Sequence, residues 1–273
     1  KAIHYLQLSA NQQYPEAQYL LSSIYFLGKG VPVDINKTIY YLKLSSTHKN
    51  SQALYSLGFL YYSSYYVPRN INLSIYYLTL ASNQNNHQAN FLLGEIYYSG
   101  LFVERDIDKA IHHFKEASCF NNAMAKNELG VIYKNGEGVK KNIYQAIEYF
   151  EEAIRHGNDS NSFYNLIRIY YFGIDIQKDI DKSFEIIEKA SEFEYPHVDA
   201  LSYFIFLCGD EKSIDKNKAF FYLERINKSP YFSSYFKDIF KELFIEDEIS
   251  KIIRKKTINF FKEYDSTYSA KHS

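Results

Sequence analysis

The stretch ANFLLGEIYYSGLFVERDIDKA, running from Ala89 to Ala110, decides the fold. Ala89, Leu93, Ile96 and Tyr97 recur at helical spacing and share one stripe of a wheel that turns about 100° per residue. Gly100 then fits a helix C-cap, because glycine reaches the left-handed backbone without a Cβ clash. Asp106 is placed to cap a second helix by accepting backbone N–H bonds. Ala110 and Ile111 open a second stripe. The small Gly94 would let the two helices approach closely.

The next stretch of the same kind, AKNELGVIYKNGEGVKKNIYQA, begins 36 residues later at Ala125. Stepping outward, Ala17, Leu21, Tyr25, Gly28, Gly30, Val31 and Asp34 start the series, and Ala53, Leu57, Tyr61, Val67 and Asn70 follow them. A single step of 37 leads to Ser162, Leu166, Tyr170, Gly173 and Asp179. The sixth unit, Val198, Phe206, Gly209 and Asp215, is weaker, with Ser202 at the leucine position. The second half of each unit agrees independently. Ala2, Thr38, Ser74, Ala110, Ala146, Ser183 and Ala219 are small, and each is followed by Ile or Phe. Repetition at this period means stacked supersecondary units. The spacing predicts an all-α fold, an α/α superhelix (solenoid) of about six helix-turn-helix repeats of 36 residues plus a C-terminal helical cap. Ser64 and Tyr66 replace both turn glycines in one unit, while Phe102 and Asp175 replace the second glycine in two others. Looser or differently shaped turns are expected there.

The pattern A-x-x-x-L-G-x-x-Y-x-x-G-x-G-V-x-x-D-x-x-K-A resembles the Sel-one-like repeat family, relatives of the tetratricopeptide repeats. Ala89, Leu93, Gly94, Tyr97, Gly100, Val103, Asp106, Lys109 and Ala110 carry the resemblance in one unit. Ala125, Leu129, Gly130, Tyr133, Gly136, Gly138 and Val139 carry it in the next. It covers residues 1–228 and implies a helical superhelix with a binding or scaffolding role, without specifying the partner. Lys1-Ala2 matches the Lys-Ala of a second helix, so the chain is expected to begin mid-repeat as part of something longer. Residues 229–264 are expected to form capping helices, and 265–273 a disordered tail.

Composition narrows the function classes. Lys+Arg 31 against Asp+Glu 32 leaves a net charge of −1, which gives no electrostatic reason to expect nucleic acid. No apolar run approaches the roughly 18–20 residues of a membrane span, so no direct membrane insertion is expected. Cys119 and Cys208 are single and occupy different repeat positions. They fit neither a disulfide framework nor the cysteine-rich bacterial relatives associated with β-lactams. The Gly-x-Gly turns join helices rather than a strand and a helix, so they are not phosphate loops. No nucleophile elbow or His-Glu-x-x-His occurs. His112 and His113 point about 100° apart on one helix, and a metal site needs three or four converging ligands. They are read as a solvated helix face. No catalytic residue, cofactor or metal ligand is expected.

The remaining candidates lie opposite the core stripe of the first helix. There the repeat presents Tyr19, Tyr55, Phe91, Asn127 and Tyr164 at one position. A second position holds Phe26, Tyr62, Tyr98, Lys134 and Tyr171, and Phe59, Glu95 and Arg168 stand between the two. Two readings stand together. The rings form an aromatic groove for a protein or peptide, since Tyr and Phe offer large, stiff contact area. Alternatively they pack between adjacent units and complete the core. Asn127, Glu128 and Lys134, flanked by Glu95 and Arg168, form a polar interruption where specificity would enter.

The basic run Lys251, Arg254, Lys255 and Lys256 is flanked by acids and reads as a solvated helix face. Four glycosylation sequons, at Asn36, Asn72, Asn158 and Asn227, slightly exceed chance and matter only in the secretory pathway. The expected function is a non-catalytic interaction scaffold in the cytoplasm. By family analogy, the alternatives are a lumenal adaptor of endoplasmic-reticulum-associated degradation, which requires an upstream signal peptide, and a regulatory module of a larger protein such as a kinase.

Overall fold

The computed structural model describes residues 1–209 and 212–228. The capping helices expected at 229–264, the tail at 265–273 and the basic run at 251–256 lie outside the described residues, as do Ser229 of the last sequon and the side chain of Asn227. So does the side chain of Cys208. The described residues form thirteen α-helices and no strand. A lone helix α1 (Ala2–Asn11) precedes six pairs. These are α2 (Pro15–Leu27) with α3 (Ile35–Thr47), α4 (Ser51–Ser63) with α5 (Ile71–Ser82), and α6 (His87–Ser99) with α7 (Ile107–Ser118). Then follow α8 (Ala123–Asn135) with α9 (Ile143–Gly157), α10 (Ser160–Phe172) with α11 (Ile180–Ser191), and α12 (Pro196–Cys208) with α13 (Lys216–Lys228). The helices fall into two compact units, dividing between Ala125 and Lys126.

Each recurring residue has a local task. The expected caps are in place: the side chains of Asp34, Asn70, Asp106, Asn142 and Asp179 accept from the backbone N–H three residues on. Asp215 does the same for Lys218. The backbone N–H of each of these cap residues donates to the carbonyl of the recurring aromatic before it, as from Asp34 to Tyr25 at 3.0 Å and from Asp106 to Tyr97 at 3.0 Å. A carbonyl that the first helix leaves open at its end is satisfied by the start of the second. A second series of caps serves the first helices. Asn50, Asn86, Asn122 and Asp159 accept from the N–H of Ala53, Ala89, Ala125 and Ser162.

The expected glycine C-cap holds at Gly28, Gly100 and Gly173, all left-handed. Ser64 adopts the same conformation at φ 55°, and Asp175 has φ 56°. These two positions keep the left-handed backbone at the cost of local strain, whereas Tyr66 and Phe102 lack the positive φ of Gly30 and Gly138, so their turns are shaped differently at that position, as expected. The single 37-residue step is absorbed in α9, which at 15 residues is longer than its counterparts of 12 or 13.

Close approach within pairs follows the small residues. A Cβ built on Gly94 would lie 2.6 Å from the ring of Phe114, and one on Gly130 2.6 Å from Phe150. Both rings are fully buried. Where Ile167 takes the glycine position, the repeat position of those rings holds the smaller Ile187. The second-helix small residues Thr38, Ser74, Ala110, Ala146 and Ser183 are all buried. The Ser74 hydroxyl donates to the Gly58 carbonyl at 2.8 Å, tying α5 to α4.

A ring stack repeats alongside. Tyr25 lies on Tyr41, Tyr61 on Tyr77, Tyr133 on Tyr149 and Phe206 on Tyr222, with planes within 20°. In the third pair His113 takes that place, stacked on Tyr97 at 5.9 Å and 7°. This corrects the reading of His113 as solvated: it is half-buried, and only His112 is exposed. Lysines lie over several of these rings, Lys37 on Tyr25, Lys109 on Tyr97 and Lys182 on Tyr170.

Candidate functional site

The thirteen candidate residues divide between the two units and do different things in each. In the first unit, Tyr98 is buried and meets Phe114 edge-on at 6.2 Å, and Phe91 lies 5.9 Å from the same ring. Those two serve the core. Phe26 and Tyr62 are half-buried under loop rings that the consensus lacks. Phe26 meets Tyr66 at 4.9 Å, and Tyr62 meets Phe102 at 6.2 Å. Tyr66 and Phe102 are the residues that replaced turn glycines, so the departures from the pattern become inter-repeat contacts. Arg69 locks this corner. Its Nε donates to the Tyr62 carbonyl at 2.8 Å, and its guanidinium lies 4.1 Å over Phe102. Tyr19, Tyr55, Phe59 and Glu95 keep accessible surface, with Phe59 at 45%.

In the second unit Asn127, Tyr164 and Tyr171 are buried. The helical wheel sets these positions opposite the core stripe, yet successive first helices such as α10 and α12 pack side by side and cover part of that face. Tyr171 donates to Ser213 Oγ at 3.4 Å, and Lys178 lies over its ring. The other four candidates, Asn127, Lys134, Tyr164 and Arg168, line one cleft of about 490 Å³.

That cleft is built by α8, α10 and α12. Asn127, Val131 and Lys134 come from α8, Asn161, Tyr164, Asn165 and Arg168 from α10, and His197 from α12. Its polar groups are tied to one another. Lys134 Nζ donates to Asn165 Oδ1 at 2.8 Å, Asn165 Nδ2 to the Asn161 carbonyl at 3.0 Å, and Ser162 Oγ to Asn127 Oδ1 at 3.2 Å. The Arg168 guanidinium lies 5.3 Å over the Tyr164 ring. Lys141 and Asp175 form an ion pair of 2.7 Å at the loop edge. His197 meets the Ser160 carbonyl at 3.2 Å, and burial pulls its pKa below the usual histidine value despite that bond and nearby Asp159. This favours the neutral imidazole. The cleft thus offers a stiff, mixed lining of amides, cations and an aromatic face, which suits recognition. Asn161, Asn165 and His197 escape a repeat reading because no recurring residue type marks their positions.

Glu95 is the exceptional group of the first unit. Burial lifts its carboxyl above the usual carboxylate range, and no described residue gives it a hydrogen bond or ion pair. Its charge in turn adds to the burial that raises Tyr55 and Tyr62. Among the described residues no three His, Cys, Asp or Glu side chains are grouped to hold a metal ion. No described helix is long and apolar enough to cross a membrane. Cys119 is exposed and free.

The comparisons with known proteins follow the same frame. The Sel1 repeat model matches residues 1–14, 15–50, 51–86, 87–119, 123–158, 164–192 and 200–226. A protective antigen of uropathogenic Escherichia coli strains, displaying an SLR fold, is similar at 25% identity with a TM-score of 0.74. That match covers 83% of this chain but 48% of the antigen, so the chain spans about half its length. A Sel1 repeat protein from Oxalobacter formigenes is similar in fold at 24% identity and a TM-score of 0.69, covering 79% of this chain and 88% of that one. No curated protein matches. The four matches from residue 15 to 158 begin and end with helix pairs, the last two begin four residues inside α10 and α12, and with seven repeats matched along the chain it belongs to the Sel1 repeat family.

Proposed function

We propose that the chain is a non-catalytic scaffold that binds a protein or peptide segment on the face of its first helices, with the cleft of α8, α10 and α12 as a principal contact. Sel1 repeat proteins are in general scaffolds for protein interaction. The observation that carries the reading is the cleft itself. Its volume is in the range of ligand pockets, and Asn127, Lys134 and Arg168, which differ in type from their repeat counterparts, converge on it together with Tyr164. Residues that vary among otherwise regular units are free of the repeat's structural demands. The Lys134–Asn165 bond fixes an ammonium group that would otherwise lose rotamer freedom on binding.

Asn161 tests this. It is exposed and lines the cleft, so Asn161→Trp fills the space without disturbing the core. Peptides selected on the native chain are expected to lose binding to this variant while its thermal melt is unchanged. Undiminished binding of every selected peptide would sink the cleft as the contact.

A second reading, the lumenal adaptor, finds support in the exposure of Asn36, Asn72 and Asn158. Routed through the secretory pathway, the chain is then expected to shift in mobility on glycosidase treatment. Absence of any shift would remove that reading.

A further inference from the structure

The strongest unexplained group among the described residues is Glu95. Its repeat position holds Ser23, Phe59, Val131, Arg168 and Phe204 elsewhere. No other unit carries an acid there, so helix pairing does not require one. Two arginines belong to the same unit and could have served it, yet both are committed to the loops. Arg69 donates to the Tyr62 carbonyl and to Ser64 Oγ and covers Phe102. Arg105 donates to the Tyr98 carbonyl at 2.9 Å and lies against the Tyr98 ring. Glu95 therefore faces an aromatic surface with no cation among the described residues to balance it. A half-buried carboxylate without a partner is costly to a fold, and such groups concentrate where a ligand completes them.

The surface beside it suits one kind of ligand. Tyr55 and Phe59 lie one repeat earlier on α4, their rings 6.2 Å apart and tilted by 33°. Phe59 occupies the same repeat position as Glu95 and is 45% exposed. Apolar rings next to a single unbalanced negative charge match a long aliphatic stem ending in a cation.

We infer that the first-helix face of the amino-terminal unit binds a peptide through a lysine or arginine side chain, its charged head on Glu95 and its stem against Tyr55 and Phe59. This site lies in a different unit from the cleft of α8, α10 and α12 and stands or falls apart from it. The occupant is a peptide rather than a free amine, because the accessible rings extend beyond one side chain to Tyr19 on α2.

The test uses the full chain carrying Asn161→Trp, so that enrichment does not depend on the other cleft. A random heptapeptide library displayed on phage is selected against it. Lysine or arginine is expected at one enriched position. Glu95→Gln weakens the selected peptides about tenfold, as loss of one charge-assisted contact does, and Glu95→Lys shifts selection to Asp and Glu. A separate readout needs no peptide. Removing an unbalanced buried charge raises Tm by about 2–4 °C in Glu95→Gln, whereas a structural Glu95 would lose Tm on the same change. No enriched pool, a pool without basic residues, equal binding by Glu95→Gln, or a fall in its Tm would each overturn the assignment. Any of these results leaves the Asn161 experiment on the native chain intact.

Discussion

His113 is a histidine standing where four other repeats place a tyrosine, and this makes the α6–α7 pair sensitive to acid. The ring stacks on Tyr97, and its Nδ1 lies 3.1 Å from Asn90 Oδ1. Asn90 Oδ1 already accepts from Ser82 Oγ at 2.7 Å, so the imidazole Nδ1–H is the donor. Burial first, then neighbouring His112 and Lys109, lower its pKa to about 4. The unfolded value is about 6.5. A depressed base favours folding while neutral, so its contribution is complete above pH 6.5 and is lost as pH falls toward 4. At pH 5 this linkage amounts to about 2 kcal/mol. The ring keeps some access to water, and discounting for screening leaves about 1 kcal/mol. For a unit of this size that is roughly 3 °C of Tm. His113→Tyr restores the ring of the other repeats and does not titrate in this range. Thermal melts followed by circular dichroism at pH 7.5 and pH 5 are expected to show a loss about 3 °C smaller in the variant than in the native chain. Groups common to both proteins cancel in that difference. Amide exchange in α6 and α7 localises the effect. Equal losses in both proteins would refute the coupling between the stack and the charge.

Gly94→Ala places a methyl 2.6 Å from the fully buried Phe114 ring. Overpacking costs about 1–3 kcal/mol, offset by about 1 from helix propensity, so a net loss of up to about 2 kcal/mol is expected in urea titration. In a Phe114→Leu background the same change is expected to be neutral or stabilising, and simple additivity of the two substitutions would contradict the packing account. Asn86→Ala removes a buried cap that accepts from Ala89 N at 3.0 Å and donates to the Ser51 carbonyl at 3.4 Å. It is expected to cost about 1–2 kcal/mol, more than Asn70→Ala at an exposed cap, and the reverse order of urea midpoints would show the Ser51 contact to be idle.

The helix pairs are legible in the sequence because each recurring residue acts within its own unit. Asp106 caps four residues from the second-helix alanine, and Gly94 and Phe114 meet inside one pair, so a 36-residue step exposes them without knowledge of the neighbours. The candidate site is less legible because it depends on what the next unit contributes. Whether Tyr62 faces solvent is settled by Phe102, forty residues on, at a position the pattern reserves for glycine. Tyr164 is covered for a similar reason, with His197 of the following first helix beside it. A helical wheel treats each helix alone and cannot see either neighbour. His113 shows the converse. Its type breaks the column of Tyr41, Tyr77 and Tyr149, but its geometry keeps the stack, so the repeat fixes where the ring lies while the residue type sets how that place responds to pH. Glu95 differs from both. Its neighbours on α4 are legible as an aromatic column, but only the folded structure shows that Arg69 and Arg105 turn to the loops and leave the carboxylate unbalanced. A residue that breaks its column and gains nothing from its surroundings in return is poorly explained by the fold and better explained by a partner.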